Sequence, residues 1–168
     1  MHKTRGLTAA LVITLAGSLA STAALADGIQ LQKPVPYAQD NDISDAIKTE
    51  CKLTEQLPDF VKQYSSEPVE LVAGPVDTAS GRVLQLEIVD AVSMGNAWLG
   101  HQKFVKVTGT LFEDGAKVAS FKGRRNSMGG AFAGFKGSCS VLGRTVEALG
   151  EDIGSWLSAP EDGAHLGD

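Results

Sequence analysis

Histidine is scarce in this chain, three residues in 168, and only His101 and His165 lie beyond the first 26 positions. A triad hydrolase needs a base beside an activated nucleophile, and no G-x-S-x-G elbow accompanies either histidine. Two separated histidines and a cysteine pair expected to be bridged do not supply a zinc set. There is no C-x-x-C, which removes the usual dithiol redox motif. No Gly-Lys-Ser/Thr phosphate loop occurs either. Asp40, Asp42 and Asp45 crowd together, but the glycine and distal glutamate of a calcium loop are missing. They read as solvated charges at a helix N-terminus, where the dipole favours them. Internal repeats and heptad arrays of coiled-coil length are absent too. The sequence therefore assigns no catalytic residue, no metal site and no cofactor.

What is present starts at the N-terminus. Lys3 and Arg5 precede a mostly apolar run from Leu7 to Leu19, and Ala24-Leu25-Ala26 is a small-x-small cleavage site. The run is short for a membrane span and is broken by Gly17 and Ser18. The expectation is a signal peptide over residues 1–26, cleaved near Ala26, and a periplasmic or secreted protein with no transmembrane segment afterwards. Asp27 stands where an acylated lipoprotein would carry cysteine.

The leader holds two of the 15 basic residues and none of the 20 acidic ones, so the remaining chain is near −7. That balance argues against nucleic acid as a partner. Cys51 and Cys139, 88 residues apart, are expected to form a disulfide in an oxidising compartment. In the chain-entropy model a bridge closing so long a loop contributes about 4–5 kcal/mol.

Residues 27–42 carry Pro34 and Pro36 and read as an extended leader. Residues 43–158 read as a single α+β domain. Ser44 caps a first helix with Ile47 and Cys51 on its buried stripe, and Pro58 kinks or restarts that helix. The period then changes from 3.6 to 2. Strands are expected at Val69–Val72, Arg82–Val92, Phe104–Phe112 and Lys117–Gly123. A wide loop, Ser93–Gln102, holds Trp98 and His101, and Asp114-Gly115 makes a hairpin turn. Ser138 is the expected cap of a second helix. Its stripe of Cys139, Leu142, Val146, Leu149, Ile153 and Trp156 runs about five turns, with Gly143, Gly150 and Gly154 beside it. Three glycines there point to close approach by a strand or another helix. Residues 159–168 read as a disordered tail. The predicted architecture is a two-layer sandwich: a mainly antiparallel four-stranded sheet with two helices on one face, stapled by the disulfide.

The glycine-rich stretch before the second helix is the one segment with functional readings. Phe132 and Phe135 could dock on a partner or membrane surface. Alternatively, backbone N–H groups around Gly129, Gly130 and Gly134 could hold an anion, with Lys122, Arg124 and Arg125 preceding the loop and Lys136 within it. A third reading is a tight strand-to-helix crossing.

From Arg82 to Trp156, roughly half the chain, the pattern resembles small uncharacterised exported bacterial proteins related to outer-membrane lipoproteins of the curli-export type. Gly115, Gly123, Gly129, Gly130, Gly134 and the helix from Ser138 to Leu157 carry the resemblance. It implies a periplasmic accessory domain with helices on a mixed sheet and no catalytic residues. Those proteins carry a lipid-modified cysteine, which this chain lacks. The functional expectation is a non-enzymatic binding or assembly accessory whose partner is an envelope protein or outer-membrane component. The alternative is a small-ligand or anion-binding module built on the glycine-rich loop.

Overall fold

A computed structural model describes residues 28–96, 100–128 and 137–167. The expected signal peptide and most of the glycine-rich stretch lie outside these residues. The fold class is α+β, and its sheet is larger and more mixed than the sequence suggests. Six strands, β1 (Ile29–Lys33), β2 (Val69–Ala73), β3 (Arg82–Asn96), β4 (Gly100–Glu113), β5 (Ala116–Met128) and β6 (Ala164–Gly167), lie in the order β2-β1-β3-β4-β5-β6. The three long strands form an antiparallel meander. β1 is parallel to both of its neighbours, and β6 is parallel to β5.

Among the described residues three helices, rather than two, connect these strands: α1 (Asp45–Glu50), α2 (Leu53–Tyr64) and α3 (Ser138–Leu157). Parallel neighbours need a crossover. α1 and α2 carry the chain from β1 to β2, and α3 carries it from β5 to β6. The sheet is thus a central meander with a β-α-β unit at each end.

The expected single N-terminal helix breaks at Cys51–Lys52, where Lys52 adopts the left-handed conformation (φ 50°). Pro58 does not mark the break; it sits inside α2. A proline cannot donate to the carbonyl four residues back. The oxygen so released, that of Thr54, accepts from the Val35 N–H at 3.0 Å. The proline's lost bond therefore becomes a tie between α2 and the segment following β1. At α3, Gly137 rather than Ser138 occupies the N-cap, and no side chain caps the helix.

The core lies between the helices and one face of the sheet. Leu84, Leu86, Ile88, Val105, Val107, Leu111 and Phe121 project from the meander into it, and all are buried. Leu142, Val146, Leu149 and Ile153 meet them from α3, fully buried as the stripe requires. Cys51 and Cys139 form the disulfide, with Cα atoms 4.7 Å apart, at the N-terminal ends of the two helical segments. The α3 glycines mark the helix–helix contact. A Cβ at Gly150 would lie 2.4 Å from Phe60 Cβ, and one at Gly154 would lie 2.7 Å from the Tyr64 carbonyl carbon. Only hydrogen at these positions lets α2 and α3 come so close.

Two segments expected outside the domain belong to the sheet. Residues 29–33 of the supposed leader form β1, with Ile29 and Leu31 fully buried and Gln30 and Gln32 turned the other way. Beyond it, Ile88 donates to the Pro36 carbonyl and accepts from the Ala38 N–H, both at 3.0 Å. Residues 164–167 of the supposed tail form β6, with Ala164 and Leu166 packed on the core. Trp156 Nε1 anchors the approach to β6 by donating to the Glu161 carbonyl at 3.2 Å. These strands are four and five residues long, flanked by proline, glycine and acid. Their ordering comes from distant pairing, which local composition does not reveal. The expected 93–102 loop is also shorter, since β3 runs to Asn96 and β4 starts at Gly100.

Candidate functional site

Strand alternation sends successive side chains to opposite faces. One face of this sheet meets α2 and α3; among the described residues the other carries no helix and is mainly polar from Gln85 to Asp90 and across the strands paired with them, with Val83 buried and Phe112 and Phe104 at its ends. Paired positions place Gln85, Thr110 and Ser120 in one row, and Glu87, Thr108, Lys122 and His165 in the next. Asp90, Lys106 and Arg124 form a third, and Phe104 pairs with Asn126 in a fourth.

Two adjoining concavities lie along these rows. One, about 260 Å³, is bounded by Gln32, Gln85, Glu87 and Val76. The other, about 380 Å³, is bounded by Lys117, Ser120, Lys122 and His165. They meet at Thr108, Gly109 and Thr110. Val76 is there because the 74–81 connection must return past β1 to start β3 parallel to it. Gly109 is needed at the junction for another reason. The Phe121 ring lies across it on the core side, 2.3 Å from where a Cβ would stand. That ring in turn meets Trp156 edge to face, with centroids 4.8 Å apart.

The electrostatics of the face are organised by pairing. Lys106 reaches Asp90 at 3.0 Å, and Lys117 reaches Asp162 at 3.2 Å. The Ser120 hydroxyl donates to Asp162 at 2.6 Å. Ser120 first, then Lys117, holds the Asp162 carboxyl below its ordinary pKa. Two cations lie over the Phe104 ring, the Arg124 guanidinium at 4.7 Å and the Lys106 ammonium at 5.0 Å from its centre. Arg124 Nε also donates to Asn126 Oδ1 at 3.1 Å.

The residues expected to form a ligand or partner loop are distributed differently. Arg124 is on the helix-free face, whereas Arg125 turns to the helix side and grips Asp152 of α3 with two bonds, 2.7 and 2.6 Å. Neighbours on a strand cannot converge on one anion from the same surface. Gly129, Gly130, Phe132, Gly134, Phe135 and Lys136 lie outside the described residues, as does the His101 side chain. Sequence reasoning noted Lys122 only as a basic residue preceding the glycine-rich loop and missed His165, placed in the tail, as its neighbour. The alternation of Lys106, Thr108 and Thr110 was visible, but their neighbours are set by the pairing of β4 with β3 and β5, and His165 joins them only through the pairing of β5 with β6.

On the helix side, Tyr37 packs against the core with its pKa raised by burial, and the Lys48 ammonium lies 5.8 Å from the ring centre. Among the described residues no three His, Cys, Asp or Glu side chains gather as a metal-holding group. No helix among them is long and apolar enough to cross a membrane. Compared with known proteins, the chain matches no family model and no curated protein.

Proposed function

We propose that this chain is a non-enzymatic binding or assembly accessory of the cell envelope, acting after export, and that it holds its partner on the helix-free face of the sheet. One observation carries this reading. The face presents hydroxyl, amide and cationic groups, with the carboxylate of Glu87, in register along two adjoining concavities, while the opposite face is covered by α2 and α3. A disulfide suits a protein of an oxidising compartment. The resemblance to exported accessory proteins points the same way. The loop-centred anion site is the weaker alternative, because Arg125 is committed to Asp152.

Site-specific photo-crosslinking in intact cells tests the proposal. A photoreactive residue replacing Thr110 is expected to capture a discrete envelope component, whereas one replacing exposed Glu151 on α3 is not. The Phe132→Ala/Phe135→Ala variant serves as the loop control and is expected to leave the Thr110 product intact. Loss of that product in the loop variant transfers the contact to the loop. Identical products from Thr110 and Glu151, or none from either, defeat the proposal.

A further inference from the structure

The helix-free face carries an uncompensated pair of cations on a chain with excess acid, formal charge −5. Lys33, Arg82, Lys106, Lys117 and Arg125 each have a carboxylate partner. Lys122 and Arg124 are exposed and have no acidic partner among the described residues. They occupy consecutive same-face positions of β5, about 6.8 Å apart by strand geometry. Arg124 is held in place by the Phe104 ring and Asn126 rather than neutralised. His165 stands opposite Lys122 on β6, and Thr108 stands opposite it on β4.

We propose that this face binds an anionic polysaccharide, laid across β3 to β6 with its acidic groups at Lys122 and Arg124. The inference rests on the reading of the helix-free face as the binding surface. Charge complementarity selects an anion, because two like charges kept side by side are relieved by an acidic ligand. The groups beside them select a hydroxyl-rich chain. Gln85, Thr108, Thr110 and Ser120 donate and accept hydrogen bonds with sugar hydroxyls, and His165 does the same from β6. Peptides are ordinarily read at a sheet edge or in an apolar groove with pockets for alternate side chains. This site is an open polar face read across several strands rather than along an edge, and of its groups only His165 comes from an outer strand, β6.

The test uses the purified mature chain with its disulfide intact and follows backbone amide NMR shifts. Polygalacturonate is the acidic probe, dextran the neutral one and polyglutamate the acidic peptide. The expected result is binding of polygalacturonate, with shifts confined to Thr108, Thr110, Lys122, Arg124 and His165. Affinity should weaken several-fold between low and moderate salt. In Lys122→Gln/Arg124→Gln it should drop at least about tenfold, while resonances on the helix side stay in place and report an intact fold. Undiminished binding in that variant overturns the inference, as does no binding of polygalacturonate. Tighter binding of polyglutamate overturns the polysaccharide assignment. Crosslinking from Thr110 stands apart from all three results, so the binding-face reading survives or falls independently.

Discussion

The contact between α2 and α3 makes opposite demands on three glycines of one helix, and alanine substitution at each measures them. Glycine in a helix interior costs about 1 kcal/mol relative to alanine. At Gly143 an added Cβ meets only Gln56 Oε1, at 3.1 Å, the free end of a flexible side chain. Gly143→Ala should therefore keep most of the propensity gain, up to about 1 kcal/mol. At Gly150 the Cβ would stand 2.4 Å from Phe60 Cβ and 3.0 Å from its carbonyl carbon. At Gly154 all three nearest atoms are backbone of Tyr64 and Ser65, at 2.7 to 2.9 Å. Backbone cannot swing aside, so the helices must separate. Overpacking of this kind costs about 1–3 kcal/mol. After the propensity gain, Gly150→Ala should lose about 1 kcal/mol and Gly154→Ala about 2 kcal/mol. For a domain of this size each kcal/mol moves Tm by about 3–4 °C. Calorimetry of the oxidised protein should place Gly143→Ala above wild type and Gly154→Ala about 10 °C below Gly143→Ala. Three equal shifts, or a Gly154→Ala protein as stable as Gly143→Ala, would refute the close approach of the two helices.

Two further outcomes follow from bonds that tie distant segments together. The Cys51→Ala/Cys139→Ala double variant releases a loop of 88 residues and should lose about 4–5 kcal/mol in denaturant unfolding; a loss under about 1 kcal/mol contradicts the constraint assigned to the bridge. For Asp162 the sign is set by its lowered folded-state pKa. The stabilisation from Ser120 and Lys117 is complete above the ordinary carboxylate value and fades as pH falls through the lowered one. Amide exchange in β6, corrected for intrinsic rates, should accelerate on acidification, and Asp162→Asn should show that acceleration already at neutral pH. Protection of β6 that ignores both changes argues against Asp162 as its anchor.

Long regular patterns were legible in the sequence and short ones were not. β3 and β4 alternate over many residues, and α3 repeats its stripe for about five turns, so each announces its own period. The disulfide and a close approach at the α3 glycines were legible because each cysteine and glycine falls on or beside a well-defined stripe, whereas the structure shows that the approaching element is α2. β1 and β6 were hidden because four or five residues between prolines and glycines carry too little alternation to stand out. Pro58 misled for a different reason: local rules make it a breaker, and only the three-dimensional arrangement supplies Val35 to take the released carbonyl. The polar groups of the candidate site were visible strand by strand. Their assembly into rows depends on register, including the extra residue Val89 between Ile88 and Asp90, which shifts every later side chain on β3. Arg124 and Arg125 illustrate the same point, being adjacent in sequence and separated by the thickness of the sheet.

The division of the sheet into a contiguous meander and two helix-delivered margins sets an order of assembly. β3, β4 and β5 follow one another with short turns and can zip together from nearest neighbours, at little loop-closure cost. β2 and β6 reach their places only after α2 or α3 has folded back across the layer, so each margin closes late and is the first to fray. The sulfur bridge joins the two returning helices, and the margins thereby share one fate: whatever loosens one rim of the molecule is felt at the other.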